Sequence, residues 1–155
     1  MKTIVQGIFN SVLCYCLPLF RGCDRAELGA LQVLQNRAAQ IVLKSPPRTS
    51  RDWMFSKLGW MTVKQLINYH TIIVIYRIRQ FKQPEYLAKK LTHENRQGHI
   101  IVKNIQLGQY RKGFVYRGSL LWNKLPEHLR KMKKISIFKK NLQDWVESNV
   151  DRFDS

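Results

Sequence analysis

The chain has 155 residues and a hydrophobic content of 45%, which is enough for a folded domain with a real core and argues against intrinsic disorder. Its 27 lysines and arginines exceed its 10 acidic residues, so the formal net charge is +17. A compact body with this charge repels itself unless a polyanion neutralises it. Nucleic acid is therefore the first partner to consider, and an anionic membrane is the second.

The positive charge is concentrated in the middle of the chain. Residues 61–140 contain eighteen cations and three acids, a net charge of +15, whereas residues 1–60 have a net charge of +5 and residues 141–155 of −3. We therefore expect the polyanion-binding face within residues 61–140. The acidic tail is either a solvated end or an internal partner for some of these cations.

The first predicted element is an amphipathic helix from about Thr3 to Leu17. Its apolar residues recur at helical spacing, and Pro18 ends it. The apolar run is too short to cross a bilayer, and it does not end in the small residues of a signal peptide. We interpret it as a helix that packs on a core, and we expect no membrane partner.

Three cysteines lie in this same region, and their spacing does not form a CxxC pair. An odd number of cysteines in one short stretch makes a poor disulfide framework. We interpret them as reduced thiols of an intracellular protein, nuclear or cytoplasmic, with a metal site as the less favoured alternative. These cysteines are Cys14, Cys16 and Cys23.

Helical patterns cover most of the remaining chain. The predicted helices lie approximately at residues 24–44, 52–58, 62–81, 84–91, 118–124, 126–131 and 136–150. Three of them begin at side chains that can cap a helix, Asp24, Thr62 and Ser136. Gly59 ends the second helix, and Gly118 or Ser119 begins the fifth. With one short extended or β segment near residues 99–117, the pattern predicts a mainly α fold of about seven helices around one core.

The titratable residues form no recognisable catalytic centre. Asp144, Glu147 and Asp151 share one helical face and could hold metal ions, but a solvated face is the preferred interpretation. His70 lies on an apolar helical stripe, where a hydrogen-bonded core histidine is more common than a ligand. The chain has no adjacent aspartate pair and no glycine-rich phosphate loop. We predict no enzyme activity, no cofactor, no bound metal and no small-molecule substrate.

Aromatic rings and cations alternate between residues 110 and 117. Rings can stack on unpaired bases, and guanidinium groups can bind phosphates. The candidates for stacking are Tyr110, Phe114 and Tyr116, although Phe114, Tyr116 and Trp122 as core anchors is the preferred alternative. The candidate phosphate contacts are Arg48, Arg51, Arg111, Lys112, Arg117, Arg130, Lys131, Lys133, Lys134, Lys139 and Lys140.

The stretch RGSLLWNKLP, at residues 117–126, carries a further signal. With LQVLQNRAA at residues 31–39 and PEYL at residues 84–87, it resembles the carboxy-terminal region of the reverse transcriptase of non-LTR, LINE-type (jockey-like) retrotransposons. The resemblance implies a polymerase thumb at residues 1–45 and a helical carboxy-terminal domain at residues 46–155. In this family the region is thought to hold RNA template and primer duplex, and it follows the catalytic palm domain, which would be a partner in the parent polyprotein.

Two hypotheses for function follow from these patterns. The first is a non-catalytic nucleic-acid-binding part of a reverse transcriptase, which holds RNA or an RNA/DNA duplex. The second is an independent basic α-helical protein-interaction module with an acidic partner. The salt dependence of RNA binding separates the two, because phosphate contacts give a steep dependence.

Overall fold

The structure, a computed structural model, describes residues 25–102 and 113–149, together with Gly7. These residues contain seven helices: α1 (Arg25–Leu43), α2 (Arg51–Leu58), α3 (Val63–Phe81), α4 (Glu85–Leu91), α5 (Phe114–Asn123), α6 (Glu127–Arg130) and α7 (Ile135–Ser148). No sheet occurs in this part of the chain, where Glu94 and Ile100 form an isolated antiparallel bridge. The predicted mainly α fold with about seven helices is confirmed.

Contacts group the chain into two compact units, Met1–Ile67 and Asn68–Ser155, and the division falls within α3. The resemblance to a reverse transcriptase predicts a different boundary, after residue 45, between a thumb and a carboxy-terminal domain. This boundary stays a prediction. The predicted helix at residues 3–17, the three cysteines and the Asp24 cap lie outside the described residues.

In the first unit, α1 packs against α2 around a small apolar core. Met54, Phe55 and Leu58 of α2 are buried together with Ala39 of α1 and Trp60. The helix ends as predicted at Gly59, which adopts a left-handed φ of 65° that a residue with a Cβ takes only at a cost. The chain therefore turns at Gly59 and places the Trp60 ring edge-on to Phe55, with 6.2 Å between ring centroids.

The start of α3 is fixed by a reciprocal cap. The Gln65 N–H donates to Thr62 Oγ1 at 3.3 Å, and the Thr62 N–H donates to Gln65 Oε1 at 2.8 Å. Two amides of α1 complete the turn, because Gln32 accepts a hydrogen bond from the Val63 N–H and Gln35 donates one to the Met61 carbonyl. The predicted Thr62 cap is confirmed.

In the second unit, the buried face of α3 is the centre of the core. Ile72 and Ile75 are fully buried, and Tyr76 stacks on Phe138 of α7 with 4.2 Å between ring centroids. Trp122 of α5 lies 6.3 Å from the same phenylalanine ring and is also buried. The interpretation of Trp122 as a core anchor is therefore confirmed.

The predicted starts of two helices are wrong. α5 begins at Phe114, not at Gly118 or Ser119. Gly118 lies inside this helix, at the place where α5 approaches α3 closely. A Cβ at position 118 would lie 2.7 Å from Ile75 Cδ1, so only glycine fits this contact without displacing a neighbour. α7 begins at Ile135 after Lys134, and Ser136 is therefore a helical residue instead of a cap.

The earlier start of α5 shortens the predicted extended segment. Residues 114–117 are helical, and Ile100 forms the bridge with Glu94. Between these two places, residues 103–112 lie outside the described part of the chain. The predicted extended segment near residues 99–117 is therefore wrong for its last four residues.

Candidate nucleic-acid interface

The two candidate phosphate contacts of the first unit lie beside the loop that joins α1 to α2. Arg48 is exposed and adopts a left-handed φ of 72°. Arg51 is exposed at the first position of α2, and its Nε lies 3.0 Å from Asp52 Oδ1. Arg51 therefore already has an anionic neighbour, although an exposed pair of this kind stabilises the fold little.

Each of the three carboxylates within residues 61–140 pairs with one cation. Glu85 binds Lys89 at 2.8 Å and Glu127 binds Lys131 at 2.5 Å, both across one turn of a helix, and Glu94 binds Arg79. The hydrogen bond from Lys131, together with its charge, lowers the pKa of Glu127. The acids of this stretch are therefore already engaged, and its other cations far outnumber them.

Three of the predicted phosphate contacts form an exposed group around the start of α7. Lys133, Lys134 and Lys140 are exposed, and none pairs with a carboxylate within residues 25–102 or 113–149. We call these three lysines the α7 lysine group. Lys139 belongs to the same stretch but is half-buried, and its charge adds to burial in lowering the pKa of His70.

The amino-terminal end of α7 is itself suited to an anion. Its cap position holds Lys134, whose side chain makes no capping hydrogen bond, and its first turn has no acidic residue. The first backbone N–H groups of a helix lack partners within it and carry a partial positive charge. Lys133 and Lys134 add two full charges at this end, so a bound phosphate would relieve repulsion there.

The predicted ring-and-cation segment is only partly described. Phe114, Tyr116 and Arg117 are half-buried on α5. For the two rings, this degree of burial is intermediate between that of a core anchor and that of an exposed ring that stacks on bases. Tyr110, Arg111 and Lys112 lie outside the described residues. Base stacking by Phe114 and Tyr116 stays a prediction.

Arg130 differs from the other predicted phosphate contacts. In the structure it is half-buried, and its Nε and Nη1 atoms are buried without a hydrogen-bond acceptor. Burial lowers the pKa of this guanidinium, and the charge of Arg79 lowers it further. The role of Arg130 as a phosphate contact stays a prediction.

Arg79 was not singled out by the sequence patterns. Its guanidinium carbon lies 5.0 Å from the Trp122 ring centroid, and its Nη1 donates to the Leu91 carbonyl at 2.7 Å. Arg79 follows the buried Ile75 by one helical turn, so the available signal was a cation on the core-facing stripe of α3. Long cationic side chains on such a stripe can pack their stems inside while the charge reaches the surface.

No grouping of three or more potential metal-ligating side chains occurs among the residues that the structure describes. The predicted acidic face includes Asp144 and Glu147, which are exposed on α7, while Asp151 lies outside the described residues. No helix within the described ranges is both long and apolar enough to span a bilayer.

Comparisons of the chain with protein-family models, with curated proteins and with solved structures found no match. The resemblance to a reverse transcriptase therefore depends on the motifs at residues 31–39, 84–87 and 117–126.

Proposed function

We propose that this chain binds nucleic acid without catalysing a reaction on it. The proposed ligand is RNA or an RNA/DNA duplex, which the chain would hold as the thumb and carboxy-terminal domain of a non-LTR reverse transcriptase hold template and primer. The observation that carries the proposal is the α7 lysine group, which is exposed and has no described carboxylate partner. Phosphates are the anions that a basic helical surface of this kind binds most readily.

The contacts that the surface offers are phosphate contacts. Lysine ammonium groups and helix amino termini bind phosphate oxygens, which carry no sequence information. Each lysine of the α7 lysine group carries one flexible point charge and lacks the planar pair of donors with which arginine reads a base edge. We therefore expect binding with little sequence preference.

Binding of RNA should weaken steeply as salt increases. If about five phosphates are neutralised, the slope of log K against log salt should be about −3.5 for a single strand and about −4.5 for a duplex. Fluorescence anisotropy with labelled single-stranded RNA and with a primer–template duplex, between 50 mM and 300 mM salt, measures both slopes.

Two strands of unrelated sequence and equal length serve as the control for this titration, and they should bind within a few-fold of each other. A slope shallower than about −1 would contradict the proposal, because it corresponds to about one phosphate contact.

One observation favours the second candidate function, a protein-interaction module. Val33, Leu34 and Ile41 of α1 have exposed fractions of 52%, 54% and 64%, and helical spacing places them on one face around Arg37. An apolar face that contains a cation fits an acidic, amphipathic partner, or the missing part of a polyprotein. In this hypothesis the basic charge contributes to partner choice.

The exposed face of α1 should make the chain self-associate once salt screens the repulsion between its positive charges. Replacing Leu34 and Ile41 with glutamine removes most of its apolar surface, and both residues are exposed, so the fold should be retained. Sedimentation velocity should show oligomers for the wild-type chain and monomers for the double variant. A wild-type chain that is monomeric at every concentration would favour an independent domain over a part of a polyprotein.

A further inference from the structure

Arg130 presents an unsatisfied cation within the second unit. Its Nε and Nη1 atoms are excluded from solvent and have no acceptor, although each carries N–H groups that make strong hydrogen bonds. A buried donor without an acceptor destabilises the folded state, and a charged donor does so more strongly. The residue as a whole is half-buried, so part of Arg130 still reaches the surface.

The surroundings of Arg130 do not supply the missing anion. Its charged neighbour is Arg79, whose guanidinium repels it. Glu94 pairs with Arg79, and no carboxylate in residues 25–102 or 113–149 pairs with Arg130. Arg79 therefore has a carboxylate partner whereas Arg130 has none among the described residues, and the folded chain retains an excess positive charge at a partly desolvated position.

Several contacts fix Arg79 in this arrangement. Its guanidinium lies over the buried Trp122 ring, and its Nη1 donates to the Leu91 carbonyl. A side chain held by three partners cannot easily move away from a second cation. The repulsion is therefore built into the fold, and an anion is the ligand that would relieve it.

We propose that Arg130, with Arg79 beside it, is a phosphate-binding position, in which a bound phosphate accepts hydrogen bonds from the part of the Arg130 guanidinium that reaches the surface and neutralises the charge that the fold leaves without a partner. The Nη2 atom, which is not among the buried atoms, carries two N–H donors for phosphate oxygens. The choice of a backbone phosphate of RNA as the ligand rests on the proposed function, whereas the position itself does not. Inorganic phosphate, which has the same acceptor oxygens, is the probe that tests the position without RNA.

The stability of the Arg130→Met variant tests the position. In phosphate-free buffer the variant should melt at or above the wild-type temperature, because it removes an unpaired buried charge and keeps the side-chain volume. With phosphate at about ten times its Kd, the wild-type melting temperature should rise by about 3–6 °C over chloride at equal ionic strength. Arg130→Met should lose most of this rise.

The Lys90→Met variant is the matched control, because it removes one exposed cation from α4. It should keep the full phosphate shift, which separates a specific site from the general stabilisation that phosphate salts cause. Arg130→Lys is a second test if the methionine variant does not fold. It retains the charge but not the paired donors, so its shift should fall by at least half.

Equal phosphate shifts in the wild-type, Arg130→Met and Arg130→Lys chains would overturn the site. RNA titrations of the same proteins separate this result from failure of the proposed function. If RNA does not bind but the phosphate shift depends on Arg130, the site stands and the RNA hypothesis falls. If RNA binds with a steep salt slope and neither measurement depends on Arg130, the site falls and the RNA hypothesis stands.

Discussion

Replacing Lys133, Lys134 and Lys140 together with alanine should weaken RNA binding about 100-fold at 0.1 M salt and flatten the salt slope by about two to three units. The three lysines are exposed and pair with no carboxylate in the described part of the chain, so each is available to a phosphate. The melting temperature should change little, because exposed cations contribute little to folding. Anisotropy titrations and thermal melting on the same preparations provide the two measurements.

A second set of three lysines provides the matched control. Lys82, Lys89 and Lys90 are exposed near α4, and their replacement with alanine removes the same net charge. This control should keep most of the salt slope, because long-range attraction alone does not release the counterions of a direct contact. Equal losses in both triple variants would show that only the overall charge matters and would contradict a phosphate surface at α7.

The predicted ring-and-cation segment gives a further comparison for this experiment. If replacing Arg111, Lys112 and Arg117 with alanine flattens the slope while the α7 variant does not, the RNA contact lies near residues 110–117. If that variant unfolds and keeps its slope, these residues are structural. The three variants together therefore locate the binding surface within residues 61–140.

Replacing Phe138 with alanine should destabilise the second unit by about 3–5 kcal/mol. Phe138 is fully buried, stacks on Tyr76 and contacts the Trp122 ring region, so its removal leaves a cavity between three helices. Urea unfolding followed by circular dichroism measures the loss. A change below about 1 kcal/mol would show that α7 is not held by this aromatic cluster.

The neighbouring residue provides the control for this substitution. Ile137 is half-exposed on the same helix, and Ile137→Ala makes a comparable change in helix composition without opening the core. Its effect on the free energy of unfolding should stay within about 0.5 kcal/mol. The contrast matters for function, because Phe138 holds the helix that carries Lys140 and begins after Lys134.

Local rules predicted the helix ends that local chemistry controls. Gly59 ends α2 because glycine, which has no Cβ, adopts the left-handed conformation at little steric cost. Thr62 and Gln65 form a capping pair within four consecutive residues. Where a few neighbouring residues decide the structure, the sequence was sufficient.

Tertiary contacts decided the cases that the sequence did not predict. Gly118 has a low helix propensity and was interpreted as a helix start, but it is required inside α5 by the proximity of Ile75. Ser136 fits a cap by residue type, yet Lys134 occupies that position. Arg130 was predicted as a phosphate contact from its cationic run alone, and only the folded arrangement of α3 and α6 makes it half-buried beside Arg79.

The glycine at position 118 lies in the same contact between α5 and α3 as the charge of Arg79. Thr71, Ile75 and Arg79 follow one another at four-residue steps along α3, and a Cβ at position 118 would meet the first two of them. One turn further along α5, Trp122 lies beneath the Arg79 guanidinium. A Cβ at position 118 would lie 2.7 Å from Ile75 Cδ1, so an alanine there would have to displace the Ile75 side chain within the same helix contact that places Trp122 against Arg79.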